Sequence, residues 1–360
     1  VDIPEKDRWY FCEELDPVYG NLLSRDLVSF IIYCICRAGK GIQGKNQVYL
    51  DITHLHRERG MTREQINDKL EGVLEIYQKF MREDPIDNPM RIYPAVHYTM
   101  GGLWVGYEKG HEEALDLKSP RNQMTNIPGL YAAGECEFQY HGANRLGANA
   151  LLSCLTGGEL TALGVQSYLR SMEVSWDQAH EPMLANAREQ RKKEYEALKR
   201  SEGPENPYQL HQELAEIMWY RCGIWRTQRE LLEAKDQLES LGDRAKQCAL
   251  VDASNWSNQA VPFTRALQNM IEASKAIVGG AITRDESRGA HFKMDTPKRD
   301  DEHWLKSTLA TWTPKGPEFS FEPIDCCYIQ PRARKYRVNQ LMIVEQVLGK
   351  EALETSKNPV

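Results

Sequence analysis

Residues 129–152 read GLYAAGECEFQYHGANRLGANALL and concentrate the side chains that could do chemistry. Glu135 follows a short apolar stretch directly, and His141-Gly142-Ala143-Asn144-Arg145 then sets polar donors among small residues. Small residues let a ligand approach the backbone closely. A helix start follows, with Asn149 expected as its N-cap and Ala150–Leu155 as its apolar first turns. Free amides at a helix N-terminus favour negative charge, and a guanidinium stands four residues upstream. The combination describes an anion site.

Several elements must position these groups. GLYAA has the pattern of a buried strand over 129–133, turning at Gly134-Glu135. Upstream, Arg25–Ala38 reads as a buried helix ending at Gly39, and Gln47–Ile52 as a short strand. Thr62 and Gln65 form a capping box that opens an amphipathic helix, with Ile66, Leu70, Val73, Tyr77 and Phe80 on one face. Residues 91–106 alternate strand and glycine turn, and Glu108–Met124 is a polar surface hairpin. From about residue 171 the chain turns into polar helices. Asn206-Pro207 caps one carrying Leu210, Leu214 and Ile217. Ile224, Leu231, Ala234, Leu238 and Leu241 mark the next, and Phe263, Leu267, Met270, Ser274 and Ile277 a third, closed by Gly279-Gly280. Short connections make this a helical bundle. The tail holds strand-like pieces such as Phe319–Phe321 and a terminal helix near Val338–Leu348.

A chain of 360 residues suggests two or more domains, and 41% hydrophobic with 27% charged residues is ordinary for a globular chain. The net charge of −7 leaves no basic excess to neutralise phosphates, which argues against a nucleic-acid partner. The longest apolar run, Leu27–Cys36, is too short for a membrane span, and the opening VDIPEKDRW is not that of a signal peptide. Nine cysteines without framework spacing suggest reduced thiols in a cytoplasmic compartment, all expected to be packing residues rather than zinc or iron–sulfur ligands. Trp104 and the Arg332/Arg334 pair are expected to serve packing and surface charge.

NIPGLYAAGE followed by HGANRLG resembles the signature of the flavoprotein subunit of succinate dehydrogenase and fumarate reductase. RIYPAVHYTMGG at 91–102, SRD at 24–26, RGAHF at 288–292 and RDDEHWLK at 299–306 extend the resemblance in order from about residue 8 to about residue 336. The implied fold is α/β plus all-α: part of an FAD-binding α/β domain with a capping domain, then a helical bundle and a small C-terminal domain. On that plan 1–93 is the C-terminal part of the capping domain and 94–170 the return segment of the FAD-binding domain. Residues 171–280 are the helical bundle and 281–360 the C-terminal domain. The resemblance implies FAD as cofactor, with a dicarboxylate held by His97 and Arg145. It makes Arg25 the proton-transfer arginine, with Asp26 as a neighbouring acid. An arginine is an unexpected base because its pKa lies above about 12. Glu135 is placed at the ribityl hydroxyls, and the turn of Asn149, Ala150 and Leu151 at the flavin ring. Ala150 stands where most relatives have serine, so an amide contact survives there and a hydroxyl contact does not.

Such an enzyme needs a βαβ unit whose G-x-G-x-x-G turn cradles the pyrophosphate, and none is expected in this chain. The sequence therefore reads as the C-terminal three-fifths of a longer subunit. The implied reaction is oxidation of succinate to fumarate, with hydride passing to FAD. An iron–sulfur subunit and a membrane-anchor cytochrome b subunit would be the partners, at the cytoplasmic side of the inner membrane. The variant LWVGYE…QMTNIPGLYAAGEC is closer to the group with dihaem anchors. Fumarate reductase uses the same residues in reverse. L-aspartate oxidase shares HGANRL but usually continues ASNSLLE where this chain has GANALLS. A flavin-free interaction fragment is the alternative from another class.

Overall fold

A computed structural model describes residues 8–173, 181–252, 254–333 and 337–355. Its main elements are α1 (Arg25–Arg37), β1 (Val48–Leu50), α2 (Arg63–Met81), β2 (Met90–Ile92), α3 (Asn149–Ser171), α4 (Glu181–Lys199), α5 (Pro207–Cys222), α6 (Gln228–Ala245), α7 (Ala260–Thr283), β3 (Lys306–Thr311), β4 (Glu318–Pro323) and α8 (Gln340–Leu348). They fall into two compact units, residues 1–96 with 332–360, and residues 97–331.

In the first unit, α1 is apolar nearly all round, and Phe30 through Cys36 are all buried. It ends where the composition requires. Gly39 is left-handed (φ +71°), while its amide and that of Lys40 return to the carbonyls of Cys36 (2.9 Å) and Ile35 (3.0 Å). Helix α8 packs on α1 and buries Ile343, Val344 and Val347. Strands β1 and β2 pair antiparallel, with Val48 opposite Ile92 and Leu50 opposite Met90. The Thr62/Gln65 capping box forms as expected at the start of α2. The buried face of that helix differs from the expected one. Ile66 and Leu74 pack against Ile86, whereas Val73 and Phe80 are 57% and 82% exposed. The spacing fitted two neighbouring faces, and only contact with Ile86 chooses between them.

The glycine spacing expected to be absent does occur once, at Gly39-Lys40-Gly41-Ile42-Gln43-Gly44. It follows a helix rather than a strand and leads to β1, with a single helical turn at Ile42–Gly44. A dinucleotide cradle needs the opposite order, strand then glycine turn then helix. This loop is therefore a helix-to-strand connection.

The second unit is built on α5, α6 and α7. Leu210 and Leu214, Leu231 and Leu238, and Leu267 and Ile271 form their shared core. Asn206 caps α5 by accepting from the Tyr208 amide (2.9 Å), with proline at the next position. Ile224 lies before α6 rather than on it. On α7 the buried stripe is Leu267, Ile271, Ser274 and Val278, so Met270 (40% exposed) and Ile277 (46% exposed) are off the expected face. Strands β3 and β4 form an antiparallel hairpin, with Thr308 opposite Phe321 and Ala310 opposite Phe319.

Other expectations need correcting. Residues 129–133 are not a ladder strand: Tyr131 makes one isolated bridge to Met124, and Ala132 donates to Gln123 O (3.0 Å). The segment turns back on 123–125 at Pro128-Gly129 and pairs there on one side. The 108–124 segment is a surface feature at its tip, but Ser119, Asn122 and Gln123 at its base are buried. Cys136, Cys154 and Cys327 are exposed rather than packed. Trp104 is half-buried and donates to Glu322 (3.0 Å); Arg332 is exposed, and Arg334 lies outside the described residues. No helix among the described residues is long and apolar enough to cross a membrane.

Gly279-Gly280 does not end α7, which runs on to Thr283. Glycine is needed here for room. A Cβ on Gly279 would lie 2.4 Å from Phe319 Cζ, whereas one on Gly280 would meet only ordinary contacts at 3.8 Å. Alanine gains about 1 kcal/mol over glycine inside a helix, while overpacking a core costs about 1–3 kcal/mol. Gly280→Ala should therefore raise the midpoint of urea unfolding and Gly279→Ala should lower it. Equal shifts in the two variants would remove Phe319 as the reason.

Candidate functional site

The second unit brings three stretches together: 97–103, 134–145 and the start of α3. Gly134 opens a single turn of helix at Gly134–Cys136 with φ +76°, and a Cβ there would lie 2.9 Å from Cys154 Sγ. The absent side chain lets α3 lie directly against the turn. Gly102 does the same for the first stretch, because its Cβ would fall 2.4 Å from Cys136 O. Leu103 N then donates to that oxygen (2.8 Å), and Thr99 N donates to Glu135 Oε1 (3.0 Å). Backbone contacts thus place His97, Tyr98 and Thr99 beside Glu135.

Tyr98 is the hinge of the polar cluster. Its hydroxyl lies 3.1 Å from His141 Nε2, and the two rings meet edge to face at 5.2 Å. The Arg145 guanidinium sits over its ring at 4.7 Å, a favourable cation–π placement. His141 Nε2 also lies 3.1 Å from Ser153 Oγ, whose proton goes to Ala150 O (2.7 Å). Burial, and secondly the Arg145 cation, push the His141 pKa down, which favours a neutral ring. Nearby, burial pushes the Glu137 carboxyl up, although the Gln139 amide donates to it (2.7 Å).

Arg145 carries the site. It is half-buried, and no carboxylate pairs with it among the described residues. One guanidinium nitrogen donates to Leu146 O (3.2 Å), and its Nε is buried without a partner. Most buried polar groups find partners, so an orphaned charged donor marks a place for an acceptor. An arginine held by an aromatic face and its own loop keeps its fork free for a carboxylate.

The expected N-cap is displaced by one residue. Asn149 is the first residue of α3, and the cap is Ala148, left-handed at φ +66° with no side-chain cap bond. A non-glycine residue in that region is strained, and such strain gathers at binding sites. Helix geometry leaves the first-turn amides of Asn149, Ala150 and Leu151 without i−4 partners. Asn149 N reaches back to Leu146 O (3.3 Å), and Leu151 is 77% exposed. His97 and Glu135 are also exposed. Arg25 and Asp26 lie in the first unit, at the start of α1, where Arg25 is exposed and Asp26 half-buried. Tyr98 and Ser153 were not singled out from sequence. The available signal for Tyr98 was an aromatic directly after His97.

Comparison with known proteins finds related chains. Residues 10–151 match the FAD binding domain family, and residues 211–336 match the family described as fumarate reductase flavoprotein C-term. The succinate dehydrogenase flavoprotein subunit of Bacillus subtilis is 41% identical over 91% of this chain and 53% of its own length. The fumarate reductase flavoprotein subunit of Haemophilus influenzae is 30% identical over 88% of this chain and 50% of its own. Among solved structures, a quinol fumarate reductase mutant from E. coli aligns with TM-score 0.72 at 29% identity, covering 86% of this chain and 50% of that one. A quinol-fumarate reductase solved with menaquinol aligns with TM-score 0.76 at 27% identity, covering 92% and 56%. The chain spans about half the length of the curated relatives it matches. It belongs to the succinate dehydrogenase and fumarate reductase flavoprotein family, and carries part of the FAD-binding domain together with the C-terminal region of that family.

Proposed function

We propose that this chain is part of the flavoprotein subunit of a succinate:quinone oxidoreductase that oxidises succinate to fumarate. The observation that carries the reading is the unpaired Arg145 guanidinium over Tyr98, with a buried Nε lacking an acceptor. A dicarboxylate supplies that acceptor. The residues present also fit part of FAD: Glu135 uses one carboxylate oxygen on Thr99 N, which leaves the other for ribityl hydroxyls. The amides of Asn149, Ala150 and Leu151 at the N-terminus of α3 suit an electron-rich ring edge. Bound FAD supplies the hydride acceptor.

The protein's own residues have three tasks. Arg145 and His97 hold the two carboxylates and so fix which methylene hydrogens face which group. Neutral His141 keeps Tyr98 in place without adding a cation that would compete for the substrate. Arg25 passes its own proton to a neighbouring acidic group, with Asp26 beside it in sequence as the candidate, and so is able to take the proton from the methylene that does not lose hydride. The four-part layout, 1–93, 94–170, 171–280 and 281–360, assigns proton transfer to the capping domain and binding to the FAD-domain return segment.

The stronger identity to a succinate dehydrogenase (41%) than to a fumarate reductase (30%) supports oxidation as the working direction. Reduction of fumarate is the second reading, favoured by the structural likeness to quinol-fumarate reductases. That likeness also supports electron transfer to a quinone through an iron–sulfur subunit and a membrane-anchor cytochrome b subunit. The subunit is then peripheral, on the cytoplasmic side of the inner membrane. The direct test is a flavin spectrum of the purified enzyme together with succinate-dependent reduction of an artificial acceptor. A flavin-containing enzyme that does not turn over succinate or fumarate would end the proposal.

Arg25→Lys should abolish turnover while flavin content stays normal, because the carboxylate clamp and the flavin contacts use other residues. Loss of general acid/base action costs on the order of a hundredfold or more. Near-normal succinate oxidation in this variant would remove Arg25 from the proton path.

Arg145→Ala should weaken malonate binding by roughly 2–5 kcal/mol, since one carboxylate is left buried without its charged partner. Flavin content should change little. Titration of malonate against the flavin absorbance reads this, and an unchanged dissociation constant would place Arg145 outside the substrate clamp.

A further inference from the structure

The segment Arg288-Gly289-Ala290-His291-Phe292 has no role in the site as described so far, yet it touches the site's central loop. Residues 288–291 close a tight turn, with Arg288 N donating to His291 O (2.8 Å) and His291 N to Arg288 O (3.0 Å). At its apex Gly289 has φ +60°, and a Cβ there would stand 2.2 Å from the carbonyl oxygen of Ala143 and 2.5 Å from its carbon. Ala290 N donates to the same oxygen (2.8 Å). Ala143 is two residues from both His141 and Arg145, so the turn grips the middle of the loop that carries them.

The turn is braced from behind. Arg288 donates to both oxygens of Glu286 (2.8 and 2.9 Å) and to Asp301 (2.7 Å), and Glu286 is fully buried. Arg226 donates to His291 Nδ1 (2.8 Å), and its backbone pairs with Phe292 O (3.2 Å) and Met294 N (2.9 Å). A guanidinium can only donate, so Nδ1 accepts and the ring is neutral with its proton on Nε2. Burial, then the Arg226, Lys293 and Arg284 cations, hold the His291 pKa at about 3, which keeps that ring neutral across the working range.

We propose that residues 288–291 are a positioning clamp for the substrate loop, with Gly289 and the Ala290 amide fixing Ala143 and through it Arg145. The proposal rests on Arg145 being the carboxylate clamp. A methyl group on Gly289 meets backbone, which cannot swing aside as a side-chain tip can. Real Cβ atoms essentially never come closer than 3.0 Å, so the Ala143 carbonyl must retreat from 2.2 Å by about 1 Å. A displacement of that size at a binding group can cost roughly a hundredfold.

The test uses the flavin-loaded enzyme and reads malonate affinity, kcat and KM for succinate, flavin content and Tm. Gly289→Ala should weaken malonate and lower kcat/KM by up to roughly a hundredfold, with flavin retained. The control is Gly316→Ala, which also forces alanine to a positive φ (+108°) but into open space. It should change Tm alone. Wild-type malonate affinity in Gly289→Ala would overturn the proposal. Should that variant fail to accumulate, His291→Leu and His291→Asn take its place. The asparagine oxygen restores an acceptor for Arg226, so weak binding in the leucine variant and recovery in the asparagine variant support the clamp. Wild-type affinity in both overturns it. Arg145→Ala separates the two levels. If it leaves malonate affinity unchanged, the substrate reading fails; if it weakens binding while Gly289→Ala does not, the positioning claim alone fails.

Discussion

Glycines let neighbouring segments close in tightly around the HGANR loop, and the rest of the site depends on that closeness. Gly102 lies against the Cys136 carbonyl, Gly134 against Cys154 on α3, and Gly289 against the Ala143 carbonyl. Each meeting would be blocked by a single methyl group. The hydrogen bonds that follow, from Leu103 N to Cys136 O and from Ala290 N to Ala143 O, form only at that range. Interiors pack densely and pass displacement along, so these positions set the loop on which Arg145 and His141 stand.

The molecule treats its buried charges in two ways. Glu286 is fully buried, and although burial opposes its ionisation, Arg288, Arg284 and the Asp300 amide hold its pKa below the usual carboxylate range. Lys293, 1% exposed, is likewise satisfied by the Arg284 carbonyl (3.1 Å) and Asp285 (3.2 Å). These groups fix structure. Arg145 is the contrast, held by an aromatic ring and a neighbouring carbonyl while its Nε lacks an acceptor. An uncompensated buried donor lowers stability, and such a cost is tolerated where a ligand offsets it on binding.

The elements legible in the sequence were those whose signals are local. The Schellman-type end of α1 at Gly39, the Thr62/Gln65 box and the Asn206-Pro207 start all appear where their residue types put them. Each is decided by hydrogen bonds within a few residues of chain, so composition is sufficient. HGANR offered the chemistry of an anion site in the same local terms, an arginine and polar donors among small residues before a helix.

What only tertiary structure decided are the features that depend on a partner outside the element itself. Gly279-Gly280 reads locally as a helix end, but the space is claimed by Phe319 and the helix continues. Residues 129–133 read as a buried strand, yet a strand exists only where neighbours accept its hydrogen bonds, and here one isolated bridge forms. The face of α2 was ambiguous until Ile86 chose Leu74 over Val73. The Tyr98 ring beneath Arg145 joins residues separated by a long stretch of chain, and no spacing rule announces it. Sequence determined the chemistry at hand, because side-chain type sets charge and hydrogen-bonding capacity. Tertiary packing decided which of those groups stayed unpaired, because pairing is a matter of distance in space.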